Sequence, residues 1–206
     1  MMRVLAILAL VAAVAFAADV ARVEGLGGGA PSDDELSYYD TTPSWYTWGG
    51  VYRGSWFNAV DFYGMETGVN LYQTEFWFYH GTYPWDTSDC YIHIFNGDEA
   101  GPVSQLDQTQ VTAIHYSPTT VDYTDISTEN DFWVVINTEL SSGGWPSILG
   151  DDTPNTVDHS FFSDDLIVWD PWVIYEGSPA NDYALMCSDA EASLDEATWG
   201  SIKALY

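Results

Sequence analysis

From Trp45 onward, Gly, Pro, Asn and Asp break the chain into short runs of aromatic and β-branched residues, spaced roughly eight to twelve residues apart. That spacing specifies an antiparallel sandwich or barrel and predicts strands at Tyr46 to Arg53, Phe57 to Tyr63, Leu71 to His80, Cys90 to Phe95, Val111 to Tyr116, Thr120 to Ile126, Phe132 to Thr138, Leu166 to Trp169 and Tyr183 to Cys187. In Leu71 to His80 side chains alternate, which puts Phe76 and Phe78 together on a buried face. Phe132 to Ile136 is apolar on both faces, as a central strand covered on both sides requires. The result is one all-β domain over residues 45–190 with a substantial core. A tail at 191–206 follows, where Ser193-Leu194-Asp195-Glu196 fits a capping box and predicts a short C-terminal helix.

The chain opens differently. Met1, Met2 and Arg3 precede an apolar run from Val4 to Phe16, and Ala15-Phe16-Ala17 supplies a small-x-small cleavage pattern. Residues 1–17 are therefore expected to be a signal peptide, too short to span a bilayer comfortably, that sends the protein to a secreted, extracellular or cell-surface location. No later apolar run approaches transmembrane length. Residues 18–44, rich in Gly and Asp, are expected to be a flexible or extended leader.

Charge narrows the partners. Four basic residues stand against 31 acidic ones, a net charge of −27, and removing residues 1–17 takes away Arg3 and no acid, giving −28. Such a surface repels phosphate and acidic lipid, so nucleic acid and anionic membranes are poor partners, while cations and neutral ligands remain. Asp outnumbers Glu by 21 to 10, which places most of the acids in turns. The two cysteines, Cys90 and Cys187, are an even pair in an exported chain and are expected to form one disulfide.

The order Asn58-Ala59-Val60-Asp61-Phe62, Glu75-Phe76-Trp77-Phe78-Tyr79, Tyr91-Ile92-His93-Ile94-Phe95-Asn96-Gly97 and Asp131-Phe132-Trp133-Val134-Val135-Ile136 resembles jelly-roll β-sandwich modules of secreted bacterial multidomain proteins. The closing Thr198-Trp199-Gly200-Ser201-Ile202-Lys203 resembles a segment that often ends such modules before a C-terminal sorting or FlgD-like domain. The resemblance implies an antiparallel jelly-roll-like β-sandwich and an adhesin-like role.

Common catalytic signatures are missing: the chain has no G-x-S-x-G, no H-E-x-x-H and no Gly-rich phosphate loop. Glu75 and Glu139 are the strand carboxylates that a sandwich glycosidase would pair. His80, His93, His115 and His159 have no metal-ligand spacing. Calcium is the better cation, since Asp151, Asp152, Asp158, Asp164 and Asp165 crowd oxygen donors into one turn-rich segment, and Asn96-Gly97-Asp98-Glu99 offers a second group. Trp85 and Trp145, each beside a proline, and Trp172 are candidate platforms for a sugar ring. These features predict a non-catalytic binding or adhesion module for an extracellular glycan or protein surface, with calcium ordering its acidic loops. The alternative is a filament or surface-layer subunit in which the leader adds a strand to another copy of itself; a carbohydrate-active enzyme is the third reading.

Overall fold

The computed structural model describes residues 35–39, 46–47, 51–78, 88–114, 117–141, 148–151, 157–173, 182–183 and 185–189. The expected signal peptide, most of the leader and the C-terminal helix lie outside the described residues, as do Trp85, Trp145, Asp152, His80 and His115.

Two antiparallel sheets face each other. The first joins β1 (Glu35–Ser37), β12 (Leu185–Asp189), β4 (Asn70–Trp77) and β7 (Pro118–Ser127), in that order. The second runs β11 (Asp170–Pro171), β10 (Ser160–Ser163), β3 (Tyr52–Asn58), β8 (Asp131–Asn137), β5 (Asp89–Asp98) and β6 (Gly101–Thr112). A small ladder pairs β2 (Tyr46–Thr47) with β9 (Leu149–Gly150).

One core fills the space between the sheets. Leu36, Leu71, Phe76, Val121 and Cys187 come from the four-stranded sheet and meet Phe57, Ile92, Ile94, Phe132, Val134 and Ile136 of the six-stranded one. Period-two alternation explains this division: residues two apart on a strand share a face, so Phe132, Val134 and Ile136 point inward while Trp133 and Val135 point outward. The outward residues build a second layer. Tyr52, Trp56, Trp133, Val135 and Phe161 cluster on the outer face, roofed by Leu166 and Trp169. Gly54 makes room for the roof, because a Cβ there would lie 3.1 Å from the Trp133 and Val135 side chains and 3.2 Å from Trp169. The expected covering of Phe132 to Ile136 on both sides is thus present.

Four expectations need correction. Residues 59–63 do not continue a strand: Ala59–Tyr63 is a short helix, α1, because the Asn58 side chain accepts from the Val60 N–H at its start and Gly64, at φ 70°, ends it in the left-handed region. Leu166 to Trp169 is a turn, with Leu166 itself at φ 63°. β6 begins at Gly101, well before Val111, as an exposed Ser/Gln/Thr-rich edge strand whose polar pattern hid it. Part of the presumed leader belongs to the domain, since β1 pairs with β12 and buries Leu36.

Candidate functional site

The outer face of the six-stranded sheet divides in two. Toward β3 and β10 it is apolar and covered by Trp169, while toward β5 and β6 it carries a hydrogen-bonded row of polar side chains. Glu139, just past the end of β8, is one exposed end of that row. Its carboxylate accepts from the Asn137 amide (Nδ2 to Oε2, 3.1 Å) and from the Tyr52 hydroxyl, and these two bonds hold it below the usual carboxylate range. The Asn137 carbonyl oxygen in turn accepts from the Glu139 backbone N–H at 2.8 Å. The same Asn137 amide nitrogen lies 3.4 Å from His93 Nε2, and His93 Nδ1 lies 3.2 Å from Gln105 Oε1 on β6.

Burial grades along this row. Tyr52, His93 and Asn137 are each at most 6% exposed, whereas Glu139 and Gln105 at the two ends face solvent. Burial raises the Tyr52 hydroxyl to about 12, with the Glu139 carboxylate adding to the effect, and burial lowers the His93 imidazole below its ordinary value. Tyr91 and Phe95, both half-buried, flank His93 on its own strand, Phe95 stacked at a ring separation of 5.6 Å and Tyr91 edge-on at 6.1 Å. A surface carboxylate and a surface amide are thereby fixed by buried partners at the two ends of one row. Such a pair can accept from and donate to ligand hydroxyls without first losing side-chain freedom. Only Glu139 and His93 of this row were singled out from the sequence. Tyr52, Asn137 and Gln105 were missed because their conjunction depends on strand register.

The other described residues expected at a site lie elsewhere. Glu75 projects from β4 between the inward Thr74 and Phe76, so it sits on the outer face of the opposite sheet, accepting from the Trp77 indole at 3.1 Å. It cannot share a glycosidic bond with Glu139, which retaining and inverting mechanisms would require within about 5–10 Å. Trp172 is no platform: it is 2% exposed, its ring lies directly on Gly150 where any Cβ would overlap it, and it packs against Tyr183 at 4.8 Å.

The described members of the expected calcium set, Asp151, Asp158, Asp164 and Asp165, have different surroundings. Asp151 is 2% exposed and its carboxylate accepts from the Asp182 backbone N–H at 3.1 Å, inside a buried polar cluster where Ser160 also donates to Asp182 and accepts from the Tyr183 N–H. Asp164 and Asp165 are on the exposed turn of the outer layer, where the Val168 and Ile167 N–H groups hold the Asp165 carboxyl below its ordinary value. Asp158 is half-buried beside His159. The described members of this set therefore do not fit one calcium ion, and among the described residues no three His, Cys, Asp or Glu side chains gather as a metal would need.

The second acidic group borders a cavity of about 330 Å³ lined by Asn96, Gly97, Asp98, Val103, Ser104, Glu129, Asn130 and Asp131. Asp98 there accepts from the Ala100 N–H and Asp131 from the Trp56 indole and the Asn130 amide, so these carboxylates hold their own turns.

His159 is 7% exposed, stacked on Tyr38 at 3.5 Å and on Trp56 at 5.4 Å, with Nε2 4.0 Å from Asp61. The cysteines are free thiols, which corrects the expected disulfide: Cys90 on β5 and Cys187 on β12 each pack as small apolar side chains in the core. Arg53, one of the few cations, is fully buried on the inner face, and burial lowers it to about 10 while Tyr183 opposes the shift.

Comparison with known proteins finds no family model, no curated protein and no solved structure that matches this chain.

Proposed function

We propose that this chain is a non-catalytic binding module that engages a neutral extracellular glycan across the outer face of its six-stranded sheet. The carrying observation is the row Tyr52–Glu139–Asn137–His93–Gln105, in which buried donors fix an exposed carboxylate and an exposed amide beside the half-buried Tyr91 and Phe95 rings. Hydroxyl groups of a neutral sugar donate to Glu139 and accept from the Gln105 amide, while the flanking rings contact its apolar faces. The net charge of −27 selects against anionic polysaccharides. The platform proposed is the sheet face; Trp172 is buried and Trp85 and Trp145 lie outside the described residues.

Strand order supports the jelly-roll reading. Taking β1, β3, β4, β5, β6, β7, β8 and β12 as first to eighth, the first pairs with the eighth, the second with the seventh, the third with the sixth and the fourth with the fifth. That is a long hairpin rolled up on itself, as two Greek keys produce. A secreted location rests on the expected signal peptide at residues 1–17, and the adhesin-like role rests on the resemblance to modules of exported bacterial proteins.

Affinity electrophoresis in gels containing soluble β-glucan, xylan, galactomannan or starch tests this reading. Retardation by at least one polymer, reduced tenfold or more in Glu139→Ala and Gln105→Ala with folding unchanged, is expected; no retardation by any, or retardation indifferent to both substitutions, overturns it.

The filament reading keeps one specific support. β1 already adds itself to a sheet edge through three residue pairs with β12, a contact that the same segment of a neighbouring copy would make equally well. Sedimentation velocity across a wide concentration range decides: polymer that is lost when residues 1–40 are deleted favours strand exchange, and a monomer throughout excludes it.

A further inference from the structure

On its Asn137 side, His93 meets a bond whose polarity is fixed by groups that cannot reverse it. The Glu139 backbone N–H can only donate, so the Asn137 atom it meets at 2.8 Å is the carbonyl oxygen. The Glu139 carboxylate, ionised, can only accept, so the Asn137 atom it meets at 3.1 Å is the amide nitrogen. That nitrogen also faces His93 Nε2 at 3.4 Å and has only hydrogens to offer. Nε2 therefore carries no proton, and Nδ1 holds the single imidazole proton, donating it to Gln105 Oε1. The tautomer follows from the neighbours.

We propose that His93 is a proton-operated latch on the binding face: neutral, it locks Asn137 and Glu139 in the arrangement that presents the carboxylate, and protonation at Nε2 releases them. A proton taken from solvent onto Nε2 sets N–H against N–H across the 3.4 Å contact. The repulsion is relieved by rotating the Asn137 amide so that its oxygen faces the imidazolium. That rotation turns the amide NH₂ toward the Glu139 N–H and withdraws the donor from the Glu139 carboxylate. Both Asn137–Glu139 bonds break together. Among the described residues, the titratable groups around His93 are Tyr91 on its own strand, Asp107 on β6 and Glu139 after β8, with Tyr52 of β3 one bond beyond Glu139. The two carboxylates favour the imidazolium, and burial opposes it more strongly. The latch thus stays closed at neutral pH and opens in acid.

The consequence for ligand rests on the glycan reading, but the latch itself is read in the protein alone, so each can fail without the other. Long-range ¹⁵N–¹H spectra of the full labelled chain, titrated from neutral to acid, test it. The expected result is an Nδ1–H tautomer at neutral pH, a protonation midpoint below the ordinary imidazole value of about 6.5, and Asn137 side-chain and Glu139 backbone amide signals that shift with that same midpoint. In His93→Gln those two signals are expected to lose the step. An Nε2–H tautomer, or Asn137 and Glu139 signals that stay still while His93 titrates, overturns the proposal from the wild-type spectra alone, whether or not the variant folds. A step that persists unchanged in a folded His93→Gln also overturns it.

Discussion

At the scale of single residues, most chemically conspicuous side chains are tied to their neighbours. Asp151 is an example: its carboxylate meets the Asp182 N–H in a buried cluster with Ser160 and Tyr183, so it reads as a structural acid. Asp151→Ala leaves that N–H without its partner and is expected to cost about 1–3 kcal/mol. The loss should be the same in calcium and in chelator, measured by urea denaturation; a loss that appears only in calcium would restore Asp151 as a ligand. Cysteine behaves similarly. Burial pushes the Cys90 thiol up to about 12 and raises the Cys187 thiol well above its ordinary range, so neither forms thiolate readily. An aromatic disulfide reagent is expected to find no reactive thiol in the native chain and two per chain after denaturation without reductant. Finding none after denaturation would mean that the pair is bridged.

At the scale of elements, the outer layer depends on a few large contacts. Trp133 is fully buried, donates its indole N–H to the Asp98 carbonyl at 2.9 Å and packs on Phe161 and Trp169 at 5.0 Å each. Trp133→Ala is expected to cost about 3–5 kcal/mol. One residue beyond the Leu166 that shares this layer, exposure reverses the expectation: Ile167 is 80% exposed, and Ile167→Ser should stay within about 0.5 kcal/mol of the parent in the same measurement. What the sequence could convey divides along the same lines. The strands whose inward residues are large and apolar, Phe76 with Phe78 and Phe132 to Ile136, were legible because burial leaves a period-two or unbroken apolar pattern. β6 was not, since an exposed edge strand built from Ser, Gln and Thr has little apolar pattern to read. The helix Ala59–Tyr63 carried its signals openly in Asn58 and Gly64, but its aromatic and β-branched content outweighed them. The polar row from Glu139 to Gln105 stayed hidden for a different reason. Asn137 and His93 are 44 residues apart, and only the β5–β8 register brings them together.

At the scale of the whole molecule, titration should couple to stability through the two described histidines. Burial lowers both His93 and His159, so the unfolded chain takes up protons that the folded chain refuses. The stability gained by keeping them neutral is complete above the unfolded value of about 6.5 and is lost as pH falls through the lower folded values. Urea midpoints should therefore decline between about pH 7.5 and pH 5.5, and His159→Phe, which keeps a ring between Tyr38 and Trp56, should flatten the decline. Glu75, raised by burial, acts in the opposite direction in more acid solution, while Glu139 and Asp165, both lowered, add to the loss there.

At the same scale, one sheet face of a very acidic sandwich is the proposed binding surface. The most direct measurement is a two-dimensional amide map of the labelled chain during titration with a mixture of neutral cello-, xylo-, manno- and malto-hexaose. Shifts are expected to concentrate at Tyr91, His93, Phe95, Gln105, Asn137 and Glu139, with the four-stranded sheet silent. Shifts confined to the Asn96–Asp131 cavity or to the outer face around Glu75, or none with any of these sugars, would contradict it.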